Sequence, residues 1–207
     1  MLETIRACYP EHHREKTLRH VEEVAATSVR LAGIHGLETA KVTLAAMLHD
    51  ISVIMTPQEM YETAVRRKLP LDPAEEKYHF LLHQRVSRII AQQRFGVEDE
   101  EILSAVECHT TLKKNAGTYD QILFILDKIS WDQEGHPLYY DVLKRMAAES
   151  LDEACRFYIL YQLDHGLLLM PHRWILEACE DLQHRAGKSP EVQCPTSILS
   201  CRKDVLL

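Results

Sequence analysis

Apolar residues recur along most of this chain three and four positions apart, the spacing that lays one stripe along an α-helix. Over residues 11–35, Leu18, Val21, Val24, Ala25 and Leu31 share a face, and the pattern stops at Gly36, a residue suited to end a helix. Residues 38–51 predict a second helix through Val42, Ala45, Ala46 and Leu48. Thr56-Pro57-Gln58-Glu59 has the form of a capped start with proline in the first helical position, so a short helix is expected over 57–67. Leu69-Pro70-Leu71-Asp72-Pro73 breaks the pattern. Further helices are expected over 78–94, 98–109, 118–131, 138–165 and 171–186. The one at 98 opens on Glu98, Asp99, Glu100 and Glu101, which suit the positive end of a helix dipole.

Alternation of period two, the mark of a half-buried strand, is almost absent, and only 7 glycines are present to make turns. The expected fold is therefore all-α: a single-domain helical bundle of about seven or eight helices over residues 1–186. From Gly187 the chain turns polar and carries Pro190 and Pro195, so 187–207 is expected to be a loosely ordered tail.

Several ionisable residues break the apolar faces. His20 lies one turn before Val24 on the inner face of its helix, and His49 and Asp50 end the apolar run Val42–Leu48. His83 precedes Val86, Ile89 and Ile90 at helical spacing, and His109 shares a face with Ile102, Ala105 and Val106. Asp127 is the one charge in Ile122-Leu123-Phe124-Ile125-Leu126-Asp127. A buried carboxylate without a partner costs several kcal/mol. Singly, each residue has an ordinary explanation: a buried histidine is usually hydrogen-bonded core, and an aspartate caps a helix or pairs with arginine. Together, four histidines and two aspartates on inner faces supply nitrogen and oxygen ligands for one or two transition-metal ions. His49 and Asp50 stand about 100° apart on a helix, so both reach one ion from a helix end.

Composition narrows the rest. At 207 residues, with 46% hydrophobic and 27% charged residues, the chain suits one globular domain and does not have the balance of a disordered one. The net charge of −7 and the absence of a basic stripe argue against duplex nucleic acid as a partner. No apolar run approaches the roughly 20 residues of a membrane helix, and the first residues lack the apolar stretch of a signal peptide. A cytoplasmic location is expected. The 6 cysteines form no CxxC pair and are expected to be small hydrophobes in a reducing compartment. The 12 histidines are many against 24 Lys+Arg, in line with a metal site. His79, one turn before His83, is placed to line the same cleft.

The ligand order His20, His49-Asp50, His83, His109, Asp127 resembles the HD-domain superfamily of metal-dependent phosphohydrolases. Within it the chain is similar to the YqeK family of symmetrical bis(5′-nucleosyl)-tetraphosphatases. The matching stretches are Arg19-His20 with "RLAGIHG", then "AAMLHD", "LLHQRVS", "FGVEDEEILSAVECHTT" and "ILFILDKI", together covering about residues 11–185. The resemblance implies that His20, His49, Asp50 and Asp127 hold a principal metal. It implies that Asp50 bridges to a second ion and that His83 and His109 complete that site or face the phosphates. One or two divalent ions are implied, iron first, with manganese, cobalt or zinc as alternatives. The implied substrate is a nucleotide or dinucleoside polyphosphate: diadenosine tetraphosphate would yield two ADP, with Asp50, His83 and His109 handling protons.

Some family positions differ here. Val53 stands where the family usually has lysine, Leu112 where it has glycine, and Ser130, Trp131, Asp132 and Gln133 where it reads Glu-Pro-x-Arg. Arg85, Lys113 and Lys114 are the expected replacements for the lost positive charge at the phosphates. A protein that binds metal and nucleotide without catalysis, and an HD-type di-iron oxygenase, stand as alternatives. The apolar stretches Tyr158–Tyr161 and "LLLMPHRWILEAC" suggest core packing first and a homodimer face second.

Overall fold

The computed structural model describes residues 1–130 and 135–186. The expected tail at 187–207 and the family positions Trp131, Asp132 and Gln133 lie outside the described residues. The regular structure of the described residues is helical: α1 (Leu2–Glu11), α2 (Glu15–Ile34), α3 (Thr39–Leu48), α4 (Pro57–Arg66), α5 (Pro73–Lys77), α6 (His83–Phe95), α7 (Glu100–Cys108), α8 (Thr118–Ile129), α9 (Tyr140–Glu149), α10 (Leu151–Asp164) and α11 (Arg173–Ala186). Short 3-10 turns cover Ile51–Ile54 and His79–Leu82. None of these helices is long and apolar enough to cross a membrane.

Three expected helices depart from the bounds the spacing predicts. The periodicity read over 11–35 begins only at Glu15, because His13 takes a left-handed turn (φ 58°) that separates α2 from an additional N-terminal helix. The segment 138–165 breaks at Ser150, whose extended backbone and hydroxyl, accepting from the Glu153 N–H at 3.3 Å, start α10 anew. The segment 78–94 passes through a 3-10 turn before α6 begins at His83. Elsewhere local chemistry acts as expected. Thr56 and Glu59 form a reciprocal capping box at the start of α4. Gly36 sits at φ 64° after α2, and Leu37 N–H closes the end by donating to Ala32 C=O at 2.9 Å.

The helices wrap one main core. α2 lies along α3, α7 packs between α6 and α8, and α10 is flanked by α8, α9 and α11. Leu48, Leu103, Val106, Ile122, Phe124 and Ile125 are fully buried where these elements meet. Burying one such side chain contributes about 1.5–3 kcal/mol. Tyr9, also fully buried, donates its hydroxyl to Met47 C=O at 2.9 Å and so ties α1 to the end of α3. Tyr158 and Ile159 are buried in this core, the first of the two readings of that stretch, whereas Leu167 and Leu169 remain exposed.

Candidate metal centre

Three histidines stand at helix ends and are oriented in the same way. His49 follows the last residue of α3, His83 is the first residue of α6, and His109 follows the last residue of α7. Each ring donates its Nδ1–H to the carbonyl three residues back: His49 to Ala46 at 2.7 Å, His83 to Phe80 at 2.8 Å and His109 to Val106 at 2.8 Å. A carbonyl has no proton to give, so the proton is on Nδ1 and each neutral ring presents an Nε2 lone pair. His20 on α2 and Asp127 on α8 approach from the other side, with His20 Nε2 3.0 Å from Asp127 Oδ1.

The six residues form one cluster with Asp50 at its middle. His49 Nε2 lies 3.7 Å from Asp50 Oδ2 and 3.6 Å from Asp127 Oδ1. The other oxygen of Asp50 lies 3.6 Å from His83 Nε2 and 3.5 Å from His109 Nε2. Two sets of ligand atoms result, His20/His49/Asp50 and Asp50/His83/His109, each within 4.8 Å of one another. Asp50 turns one oxygen to each set.

The donors fit a cation. His49 Nε2 is buried with no hydrogen-bond partner. The Nε2 atoms of His83 and His109 are 3.0 Å apart, yet each ring has already committed its proton to a carbonyl. Two lone pairs at that distance repel unless a positive charge lies between them. The charges of the protein alone already polarise the cluster. Burial opposes a charge on His49, but Asp50 and Asp127 outweigh it and raise its pKa to about 9. His109 moves the other way, to about 4, because burial and the neighbouring His49 and His83 outweigh Asp50. Burial acts against ionising Asp50 and Asp127 as well. The surrounding histidines, and Lys128 beside Asp127, hold both carboxylates far below the usual range. A mixed imidazole and carboxylate set of this kind suits a divalent transition metal.

A cavity of about 250 Å³ opens beside the cluster, with Thr110, Asp127 and Lys128 in its wall. Lys128 pairs with Asp127 Oδ2 and lies 5.6 Å from the centre of the Phe124 ring. Thr110 places its hydroxyl 2.9 Å from His83 Nε2. Lys128 was not among the cations expected at the phosphates; its adjacency to Asp127 was the available signal.

None of the three expected cations is among the residues lining this cavity. Arg85 is buried and donates from Nη1 to Glu75 Oε2 at 2.8 Å and to Pro70 C=O at 2.9 Å, with its guanidinium 5.6 Å over the Trp174 ring. Lys113 donates to Ser104 Oγ at 2.7 Å, and Lys114 is exposed. His79 stacks on Tyr61 at 4.1 Å. Leu112, where relatives were expected to carry glycine, is fully buried at φ 55°. The left-handed backbone explains the glycine preference and costs a leucine about 1–2 kcal/mol.

Comparisons with known proteins agree with this geometry. The family model described as HD domain matches residues 17–132, more than half of the chain. A Lactococcus lactis subsp. cremoris protein from the pepC 5′ region is 34% identical over 149 residues, 72% of this chain and 76% of that protein. A Staphylococcus aureus protein named symmetrical bis(5′-nucleosyl)-tetraphosphatase is 33% identical over 56% of this chain and 59% of its own length. A crystal structure from Clostridium acetobutylicum, described as a predicted HD superfamily hydrolase involved in NAD metabolism, superposes with a TM-score of 0.80 at 28% identity. The superposition covers 89% of this chain and 98% of that one.

Proposed function

Because the chain belongs to the HD-domain family of metal-dependent phosphohydrolases, we propose that it hydrolyses dinucleoside polyphosphates, splitting diadenosine tetraphosphate symmetrically into two ADP. The observation that carries the reading is the cluster itself: two ligand sets sharing Asp50, beside a cavity whose wall includes Lys128. His20, His49, Asp50 and Asp127 would hold the principal ion, and His83 and His109 a second one shared through Asp50. Iron is the proposed occupant, with manganese, cobalt or zinc as alternatives. A divalent ion there supplies water of lowered pKa and a positive charge for a phosphoryl oxygen.

The chain's own groups do the rest. Water adds to one of the two central phosphorus atoms, and the oxygen bridging them leaves with the other ADP. Asp50, ionised at neutral pH, accepts the water's proton. His83 and His109, whose protons are held on Nδ1 by carbonyls, are proposed to face the phosphates as ligands of the second ion; the departing phosphate takes its proton from solvent water, and Lys128 holds the phosphate chain against the ligand carboxylates. The homodimer, like the cytoplasmic location, is also a proposal. Buried free thiols at Cys8, Cys108, Cys155 and Cys179 support a reducing compartment.

The test is to purify the protein, count bound iron, manganese, cobalt and zinc, and incubate it with diadenosine tetraphosphate with and without oxygen. Two ADP is the expected product. AMP with ATP would make the cleavage asymmetric. Metal and ADP bound with no product from any phosphate anhydride would overturn hydrolysis in favour of a binding role, and oxygen-dependent products would point to an oxygenase.

A further inference from the structure

The cavity beside the cluster contains a group that phosphate chemistry does not use. Away from Asp127 and Lys128 its wall includes Tyr139, Tyr158, Leu168, Met170 and Ile175, the polar residues Thr110, Thr111 and His172, and Gln162. Gln162 lies one turn after Tyr158 on α10, so the two share a face. Tyr158 is braced edge-on by Phe124, at 5.7 Å between centroids, and by Tyr139, at 5.0 Å. The wall is therefore rigid where Gln162 leaves it. Gln162 Oε1 is buried and has no hydrogen-bond partner. A carboxamide left in this state at the wall of a cavity is a recognition group waiting for its complement.

We propose that this cavity seats one nucleobase of the substrate and that Gln162 reads adenine. The proposal rests on the dinucleoside polyphosphate reading above. A carboxamide offers an acceptor and a donor side by side, and adenine presents the matching pair, its 6-amino group and an adjacent ring nitrogen. Both atoms of that edge are satisfied by one side chain, and Tyr139, Tyr158 and Leu168 offer the base aromatic and aliphatic surface.

The experiment compares wild type with Gln162→Leu and Gln162→Met on three dinucleoside tetraphosphates: adenosine, guanosine, and purine riboside, which lacks the 6-amino group. Inorganic tetraphosphate serves as the base-free control. Wild type is expected to prefer the adenosine compound over the purine riboside one by about ten- to a hundredfold in kcat/KM. In both variants that ratio should fall to within about threefold of unity, with bound metal and turnover of inorganic tetraphosphate unchanged. A ratio that survives either substitution, or a wild-type preference for guanosine, would overturn the assignment. Calorimetric binding of ADP against purine riboside diphosphate reads the same ratio without turnover. If no anhydride is hydrolysed, the Gln162-dependent preference for ADP still decides the base pocket, while the hydrolase reading fails separately. Failure of ADP to bind would overturn the base pocket itself.

Discussion

Arg85 offers a test that separates support of the fold from contact with substrate. Its guanidinium bonds to Glu75, a carboxylate with no exposed surface, and is itself only 7% exposed. Replacing it by methionine keeps the apolar stem but leaves Glu75 with two other partners. These are the Asp72 N–H, 2.9 Å from Oε2, and His172 Nε2, 3.6 Å from Oε1. His172 accepts the Trp174 N–H on Nδ1 at 3.0 Å, so its proton is on Nε2 and faces the carboxylate. Breaking a buried pair from one side costs about 3–5 kcal/mol. For a domain of this size that is about 6–20 °C in Tm. Replacing both partners by neutral groups, Glu75→Gln with Arg85→Met, removes the stranded charge and should restore most of the loss. The assay is thermal unfolding by circular dichroism beside steady-state kinetics below the variant's Tm, with KM for diadenosine tetraphosphate within about threefold of wild type. A Tm within about 2 °C of wild type together with a KM raised tenfold or more would refute the reasoning, because Arg85 would then be serving the phosphates.

Three further outcomes follow from the site. His83→Ala should lower bound metal toward one ion per chain, whereas Asp50→Ala should empty both positions; equal loss in the two variants, measured by elemental analysis, would contradict a shared Asp50. Lys128→Met should lower kcat/KM for a tetraphosphate by roughly 10- to 150-fold, the worth of a charge-assisted contact of about 1.5–3 kcal/mol, while metal content stays unchanged. Glu75 is held below its ordinary value of 4.5, burial opposing ionisation but His172, the Asp72 N–H and Arg85 prevailing. Its stabilisation is therefore complete at neutral pH and is lost as the pH falls below the ordinary glutamate range. Urea unfolding from pH 6 to 3 should show a shallower acid loss in the Glu75→Gln, Arg85→Met double variant than in wild type.

The parts of the fold that were legible rest on long periodic stretches. α3, α7 and α8 lie close to where the spacing of Val42, Ile102 and Ile122 with their neighbours puts them. The breaks at His13 and Ser150 were hidden because one left-handed or extended residue interrupts a stripe without changing its composition. The N-terminal helix was missed altogether, since Pro10 inside its last turn speaks against a helix in sequence but is tolerated near its end. That these six residues come together was legible for a physical reason: a charge such as Asp127 within an apolar run needs compensation. The cations were not. Arg85 sits two residues from His83, yet the direction of its side chain is decided by Glu75 and Trp174, from α5 and α11. Gln162 enters the cavity from α10 and Tyr139 from the residue before α9, and no local pattern marks them.

The three histidines at helix ends carry a consequence for metal traffic. Each imidazole is locked by a carbonyl in its own short segment, so none depends on a distant partner to face inward. Loading an ion then requires no rotamer search, and exchanging one ion for another leaves the protein where it was. Nothing in so symmetric a set of nitrogen and oxygen donors discriminates by fit among ions of similar size, and their ranking reverts to general affinity and supply. The expected outcome is that the ion bound follows the divalent metal supplied, which elemental analysis of protein purified from media enriched in iron, manganese or zinc would show.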